Sequence, residues 1–177
     1  MKASLQSINA LDIVVLLKLC IYSSNNWNQK VLAEELFISQ SEVSRSVARL
    51  KYARLLYPNG KKVMRLALME ILQYAVAYFF PQQPGAIIRG IPTAHSASPL
   101  NAIIVSNEHF VWPSGTGNLR GQAITPLYPN AIKAVKNDSM LYEYLALTDA
   151  LRVGRAREKN FAIEELKYRI LGEKQNH

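Results

Sequence analysis

Residues 32–56 read LAEELFISQSEVSRSVARLKYARLL, and the reading of the whole first half turns on them. Gln29 to Leu36 carries Val31, Leu32, Ala33 and Leu36 at helical spacing. Gln40 to about Leu55 repeats the pattern with Val43, Val47 and Leu50 on one stripe. Phe37-Ile38-Ser39 between them leaves room only for a tight connection. Ser39-Gln40-Ser41-Glu42 has the form of a capping box, in which the Ser39 hydroxyl takes the N–H three residues on and Glu42 reaches back to the N–H of Ser39. Ser41, Ser44, Arg45, Ala48 and Arg49 lie off the apolar stripe. Two short helices joined by three residues, the second capped and basic, spell a helix-turn-helix. In that arrangement the first helix braces the second, whose exposed N-terminal face enters the major groove of double-stranded DNA. Gln40, Ser41, Ser44 and Arg45 are the residues there able to hydrogen-bond base edges. A bidentate pairing of Gln with adenine or Arg with guanine discriminates by about 1–3 kcal/mol. Arg49, one turn on, is placed for a phosphate or a flanking base.

The flanking sequence extends this reading in both directions. Ile8 to Tyr22 predicts a first helix, with Ile8, Leu11, Val15, Leu16, Leu19 and Cys20 at helical spacing, and Ser23 to Asn26 a polar loop. On the other side, Leu55-Leu56-Tyr57, Pro58-Asn59-Gly60 and Lys61-Lys62-Val63-Met64 predict a short hairpin around Asn-Gly. Such a hairpin is a small wing whose Lys61 and Lys62 reach the phosphate backbone or minor groove; the plainer alternative is a loop between two helices. Arg65 to Phe80 predicts a long fourth helix whose apolar face, with Leu66, Met69, Leu72, Ala75, Val76, Phe79 and Phe80, is broad enough to pack on the second half or on a second protomer.

Charge concentrates on the same region. The 177 residues carry 21 Lys and Arg against 13 Asp and Glu, a formal charge of +8. Between Val43 and Met69 stand Arg45, Arg49, Lys51, Arg54, Lys61, Lys62 and Arg65 without a single acid. An uncompensated cationic stretch calls for an anionic partner, and the alternative is a solvated face that only aids solubility. Joined to the helix-turn-helix pattern it favours nucleic acid, since a trihelical protein-binding module needs no such face. Arg45, Gln40, Ser44 and Ser41 are then the base-reading set, and Arg49, Lys51, Lys61, Lys62 and Arg65 the phosphate-holding set.

Proline divides the chain. Seven of the eight prolines lie between Pro81 and Pro129. That segment is turn-rich, with short apolar runs at Ala102–Val105 and His109–Trp112, and predicts short strands and turns forming a small sheet. From Asn130 to about Leu171 the pattern is helical again, and Gly154 marks a break or a close helix contact. Asp149 and Arg152, three apart, suit an intrahelical pair. The fold class is therefore mainly α with a small β and turn-rich region: residues 1–80 as a winged helix-turn-helix domain, residues 81–177 as an α+β module for dimerisation, partner or ligand contact. Arg89, His95, Arg120 and Arg152, with Trp112 nearby in sequence, could line a pocket for an anionic ligand. The structural alternative pairs the arginines with helix ends or Asp149 and buries His95 on a hydrogen bond.

Several classes are disfavoured. One cysteine allows no intrachain disulfide and no cysteine zinc site, and His95, His109 and His177 lack ligand spacing, so neither metal nor other cofactor is expected. No nucleophile turn, phosphate loop or carboxylate pair is present, and no catalytic role is expected. The start of the chain carries no secretory signal, and the run Val63–Phe80 is interrupted by Arg65, Glu70 and Gln73. The expectation is a cytoplasmic protein, off the membrane, with Cys20 reduced.

Residues 32–56 resemble winged helix-turn-helix regulators of the MarR-like bacterial type, which use segments of the form LAxxLxxSQSxVSRxxxRLxxxGLL. Gln40, Ser41, Ser44 and Arg45 match that type's DNA-reading positions. Phe37 stands where the turn usually has Gly, so that Phe37 must find a pocket, and Arg54 stands where the helix usually ends in Gly. The wing is also shorter than usual. Residues 78–100 (YFFPQQPGAIIRGIPTAHSASPL), 111–129 (VWPSGTGNLRGQAITPLYP) and 141–158 (LYEYLALTDALRVGRARE) resemble a set of bacterial proteins of unassigned function that share such an N-terminal motif. The resemblance implies a DNA-binding transcriptional regulator with its own C-terminal module; a homodimer is expected because one small recognition unit reads few base pairs and two-fold pairing doubles the site. Proteins of this build also look similar to antitoxins, which bind a partner toxin and repress their own promoter.

Overall fold

The segment ALDIVVLLKLCI offers no polar face, and a helix apolar all round is buried on every side. In the computed structural model, which describes residues 7–172, it forms α1 (Ala10–Ile21) with every side chain from Asp12 to Cys20 buried. Asn9 and Asp12 cap its start reciprocally. α2 (Gln29–Leu36) begins at Asn28, whose side chain accepts the N–H of Val31, and α3 (Gln40–Tyr52) follows after three residues. α3 packs on both α1 and α2. These three helices agree with the sequence reading to within a turn.

The predicted hairpin is reduced to one antiparallel bridge, Leu56 with Val63, closed by Tyr57 N–H to Lys62 O (2.9 Å) and Gly60 N–H to Tyr57 O (2.7 Å). The single long fourth helix is a correction. α4 (Arg65–Tyr74) ends where Ala75 leaves helical geometry (φ −126°), and a separate turn of helix, α5 (Val76–Phe79), follows. The break lays α5 on the later helix Ser139–Val153 with Val76 buried, and it presents the carbonyl of Phe80 to Arg152 (2.8 Å).

Residues 81–130 contain three strands, β1 (Ile87–Pro92), β2 (Phe110–Pro113) and β3 (Leu119–Ala123). The first half of β1 pairs antiparallel with β3, from Ile87 against Gln122 to Gly90 against Leu119. Its second half pairs antiparallel with β2, Ile91 against Trp112. β2 and β3 close the ring in parallel. So small a ring forces backbones together, and glycine stands at the crossings. A Cβ on Gly117 would lie 2.1 Å from the Gly90 carbonyl, and one on Gly90 2.1 Å from that of Trp112. The apolar run Ala102–Val105 forms no strand; it leaves a 3₁₀ turn (Leu100–Ala102), and Val105 is exposed.

The helical end of the chain consists of α6 (Ala131–Val135), α7 (Ser139–Val153) and α8 (Ala156–Leu171), the last closed by Gly172 at φ +73°. α7 packs against α1, α8 and the turn after β1. Buried Asp149 fastens it there: its carboxylate accepts from Thr93 Oγ1, Trp112 Nε1 and Arg152 Nη1, each at 2.7 Å. Burial pushes this carboxyl up, and Arg152, Thr93 and Trp112 pull it back towards the ionised form. One cluster of buried apolar side chains runs from Ile13 to Ile170, through both stretches that the sequence divides at residue 80. The molecule is thus mainly helical with one small three-stranded sheet. Among the described residues no helix is long and apolar enough to cross a membrane.

Gly117→Ala is expected to lower unfolding free energy by about 3 kcal/mol or more, because its methyl meets backbone that cannot yield. Gly115→Ala, where a Cβ meets nothing within 4 Å, should change it by less than about 0.5 kcal/mol. Urea unfolding of the two variants measures the difference.

Candidate nucleic-acid interface

The capping box at α3 forms as its sequence requires. The Ser39 hydroxyl accepts the N–H of Glu42 (3.2 Å), and Glu42 Oε2 accepts from Ser39 N–H and Oγ (both 2.9 Å). Those bonds hold the Glu42 carboxyl below the usual carboxylate range, the backbone N–H first. The turn before α3 runs through Phe37 at φ +54°, and the end of α3 through Arg54 at φ +60°. These are the two positions where glycine is expected, and an L residue there costs roughly 1–2 kcal/mol. The turn compensates with Ile38 N–H to Ala33 O (3.0 Å) and the helix end with Leu55 N–H to Leu50 O (2.9 Å). The pocket expected for the Phe37 ring is not there: the residue is 52% exposed.

α3 divides cleanly. Val43, Ser46, Val47 and Leu50 are buried; Gln40, Ser41, Ser44, Arg45 and Ala48 are exposed along one side, with Lys51 and Tyr52 beyond. The helix is held at this rotation by a buried carboxylate. Asp12, wholly inside, accepts from Ser46 Oγ (2.6 Å) and from Arg49 Nε and Nη2 (both 2.8 Å). The hydrogen-bonded pairing raises the Arg49 pKa further, so the guanidinium is charged throughout.

The basic stretch is therefore sorted. Three of its seven cations serve the fold, which corrects their assignment to phosphates. Arg49 is committed to Asp12. Lys61 folds back onto buried Trp27, with Nζ 4.6 Å from the ring centroid and 2.5 Å from Trp27 O, while the indole N–H binds Lys61 O (2.9 Å). Arg65 reaches the carbonyls of Ile170 (3.0 Å) and Cys20 (3.4 Å), at the C-terminal ends of α8 and α1, where cations are favoured. Arg45, Lys51, Arg54 and Lys62 are exposed, and none forms an ion pair among the described residues. Lys62 rests over the Tyr57 ring at 5.1 Å.

The anion pocket expected from Arg89, His95, Arg120 and Arg152 does not assemble. Arg89 and Arg120 are exposed register partners across β1 and β3. Arg152 is spent on Asp149, Phe80 O and Thr125 O, and His95 is buried with Nε2 2.8 Å from Glu108 O. Asp12 and Trp27, which anchor Arg49 and Lys61, lie outside the expected set. Asp12 had a signal, an acid in a run without a polar face, where burial demands a cation.

Among the described residues no group of three or more His, Cys, Asp and Glu is placed to hold a metal ion. Comparison of the chain with protein-family models, with curated proteins and with solved structures finds no match.

Arg49→Ala should cost about 3–5 kcal/mol of stability, since it leaves the buried Asp12 carboxylate without its cation. Lys62→Ala should stay within about 0.5 kcal/mol. Denaturant midpoints decide: equal, small losses would mean that Arg49 is not structural.

Proposed function

We propose that the chain is a sequence-specific transcriptional regulator of double-stranded DNA, acting in the cytoplasm as a homodimer. α2 and α3 serve as a helix-turn-helix of the MarR-like kind that residues 32–56 resemble, and the bridge Leu56–Val63 as its short wing. The observation that carries this reading is the outward side of α3. Gln40, Ser41, Ser44 and Arg45 stand there beside small Ala48, on a helix anchored from behind by Asp12. Such a face is long, polar and narrow enough for the major groove. Arg45 and Gln40 read base edges, with Ser41 and Ser44 beside them. Lys51, Arg54 and Lys62 supply the charge that offsets phosphate repulsion.

Dimerisation is supported by α4 and α5, where Leu66, Tyr74, Tyr78 and Phe79 are between 66% and 82% exposed. A second copy related by a two-fold axis would cover these rings and double the DNA site. The same exposed rings favour the second reading, an antitoxin whose apolar face holds a partner toxin while α3 represses the shared promoter.

Fluorescence anisotropy with the protein's own upstream duplex and a scrambled duplex tests the proposal. Wild type should prefer the upstream duplex by about 1,000-fold. Arg45→Ala should weaken specific binding by about 1–3 kcal/mol and leave scrambled binding little changed. Light scattering should return a dimer that Tyr78→Glu disrupts. No binding of either duplex at low salt would overturn the regulator reading, and a monomeric wild type would overturn the homodimer.

A further inference from the structure

Phe37 is placed at a double cost. Its φ of +54° lies in the left-handed region that an L residue enters only under strain, and its ring is left 52% exposed. The backbone is held there from behind: Tyr128 Oη donates to Leu36 O (3.1 Å) and Asn130 Nδ2 to Phe37 O (2.8 Å). Strain that the surroundings fix in place collects at binding sites, and a ring on such a backbone is presented rather than packed. It forms part of the wall of an open cavity of ≈ 410 Å³.

Four parts of the chain build that cavity. The C-terminal end of α2 supplies Glu34, Glu35 and Phe37, α6 supplies Lys133, and Asp138 before α7 and Lys18 of α1 complete the wall. Buried Lys18 is already engaged, its Nζ 2.6 Å from Asp138 Oδ2 and 3.1 Å from Glu35 Oε2. Glu34 is exposed and forms no ion pair among the described residues. Two cations thus line the cavity against three carboxylates, in a chain whose formal charge is +8. The carbonyls at the end of α2 add partial negative charge on the same side.

Charge and ring together define the ligand. Phe37 N–H donates to Glu34 O (3.3 Å), so the aromatic residue and the unpaired carboxylate stand one turn apart on the same wall. A cation there is attracted both by the carboxylate and by the face of the ring. An anion would meet the excess of carboxylates, with exposed Lys133 the one lining cation not already engaged. We infer that this cavity is a binding site for an organic ammonium cation with a small apolar body, its charge set between the Phe37 ring and the Glu34 carboxylate. The anion site looked for around Arg89, Arg120 and Arg152 gives way to a site of opposite charge preference behind the turn. It uses none of the outward side chains of α3 and stands whether or not α3 binds DNA.

2-Phenylethylammonium and phenylacetate have closely similar shapes and opposite charges. Titrated separately into the ¹⁵N-labelled full chain, they are followed through the backbone amide signals of Phe37, Ala134 and Asn137. 2-Phenylethylammonium should move these signals along a saturating curve with Kd of about 1 mM, as befits a fragment of this size. Phenylacetate should leave them in place. Phe37→Gly, which suits the left-handed backbone and removes the ring, should weaken the ammonium probe about tenfold, and Glu34→Gln about fivefold. The remaining amide spectrum of each variant verifies that it folds. Equal shifts from the two probes, no saturable shift at about 10 mM 2-phenylethylammonium, or unchanged affinity in folded Phe37→Gly or folded Glu34→Gln would each overturn the assignment.

Discussion

Asp12 and Lys18 sit on a helix that has no exposed face. A charge taken out of water must be met by an opposite one in good geometry, or the fold loses several kcal/mol. α1 therefore dictates its neighbours. Asp12 at its N-terminal end demands a cation and receives Arg49, with Ser46 beside it, which sets α3 against α1 at one rotation. Lys18, a turn and a half later, demands carboxylates and receives Asp138 (2.6 Å) and Glu35 (3.1 Å). Glu35 belongs to α2, and Asp138 is the cap of α7, where it accepts the N–H of Leu141. Two charges on one buried helix thus position α2, α3 and the start of α7.

The external face of α3 is a consequence of that internal demand. Once Ser46 and Arg49 point at Asp12, helical periodicity turns Gln40, Ser41, Ser44, Arg45 and Ala48 outward. Lys61 and Arg65 are withdrawn in the same manner, one by an aromatic ring and one by two helix ends. A basic stretch in a sequence is thereby split into cations that hold the molecule together and cations available to a partner. Only the second kind counts in an electrostatic footprint.

What the sequence made legible was local. Capping at Ser39–Glu42, the boundaries of α2 and α3, the Asn-Gly turn and the Asp149–Arg152 pair all depend on residues within a few positions of each other. What it hid was long-range. Arg49 meets Asp12 across 37 positions, Lys61 meets Trp27 across 34 and Arg65 meets Ile170 across 105. Nothing in the local pattern distinguishes a cation with such a partner from one without. The strands were foreseen in kind and partly in place: His109–Trp112 contains most of β2, whereas Ala102–Val105 had equal apolar character and no strand to pair with. The ring closure depends on glycines 27 residues apart, Gly90 and Gly117, and a single strand's composition does not announce it. The candidate pocket went the same way, since the residues grouped by chemistry, Arg89, Arg120 and Arg152, answer to different neighbours once the chain is folded.

The proposed regulator would present the Ala48 side of α3 to DNA. p-Benzoylphenylalanine in place of Ala48, exposed in the middle of that face, places a photo-crosslinker where the groove floor should lie. The same residue in place of Asn160, exposed on α8, serves as the comparison. With the upstream duplex, irradiation should give a covalent adduct from position 48 and none from position 160. An adduct from position 160 alone, with duplex binding retained in both proteins, would place the DNA away from α3.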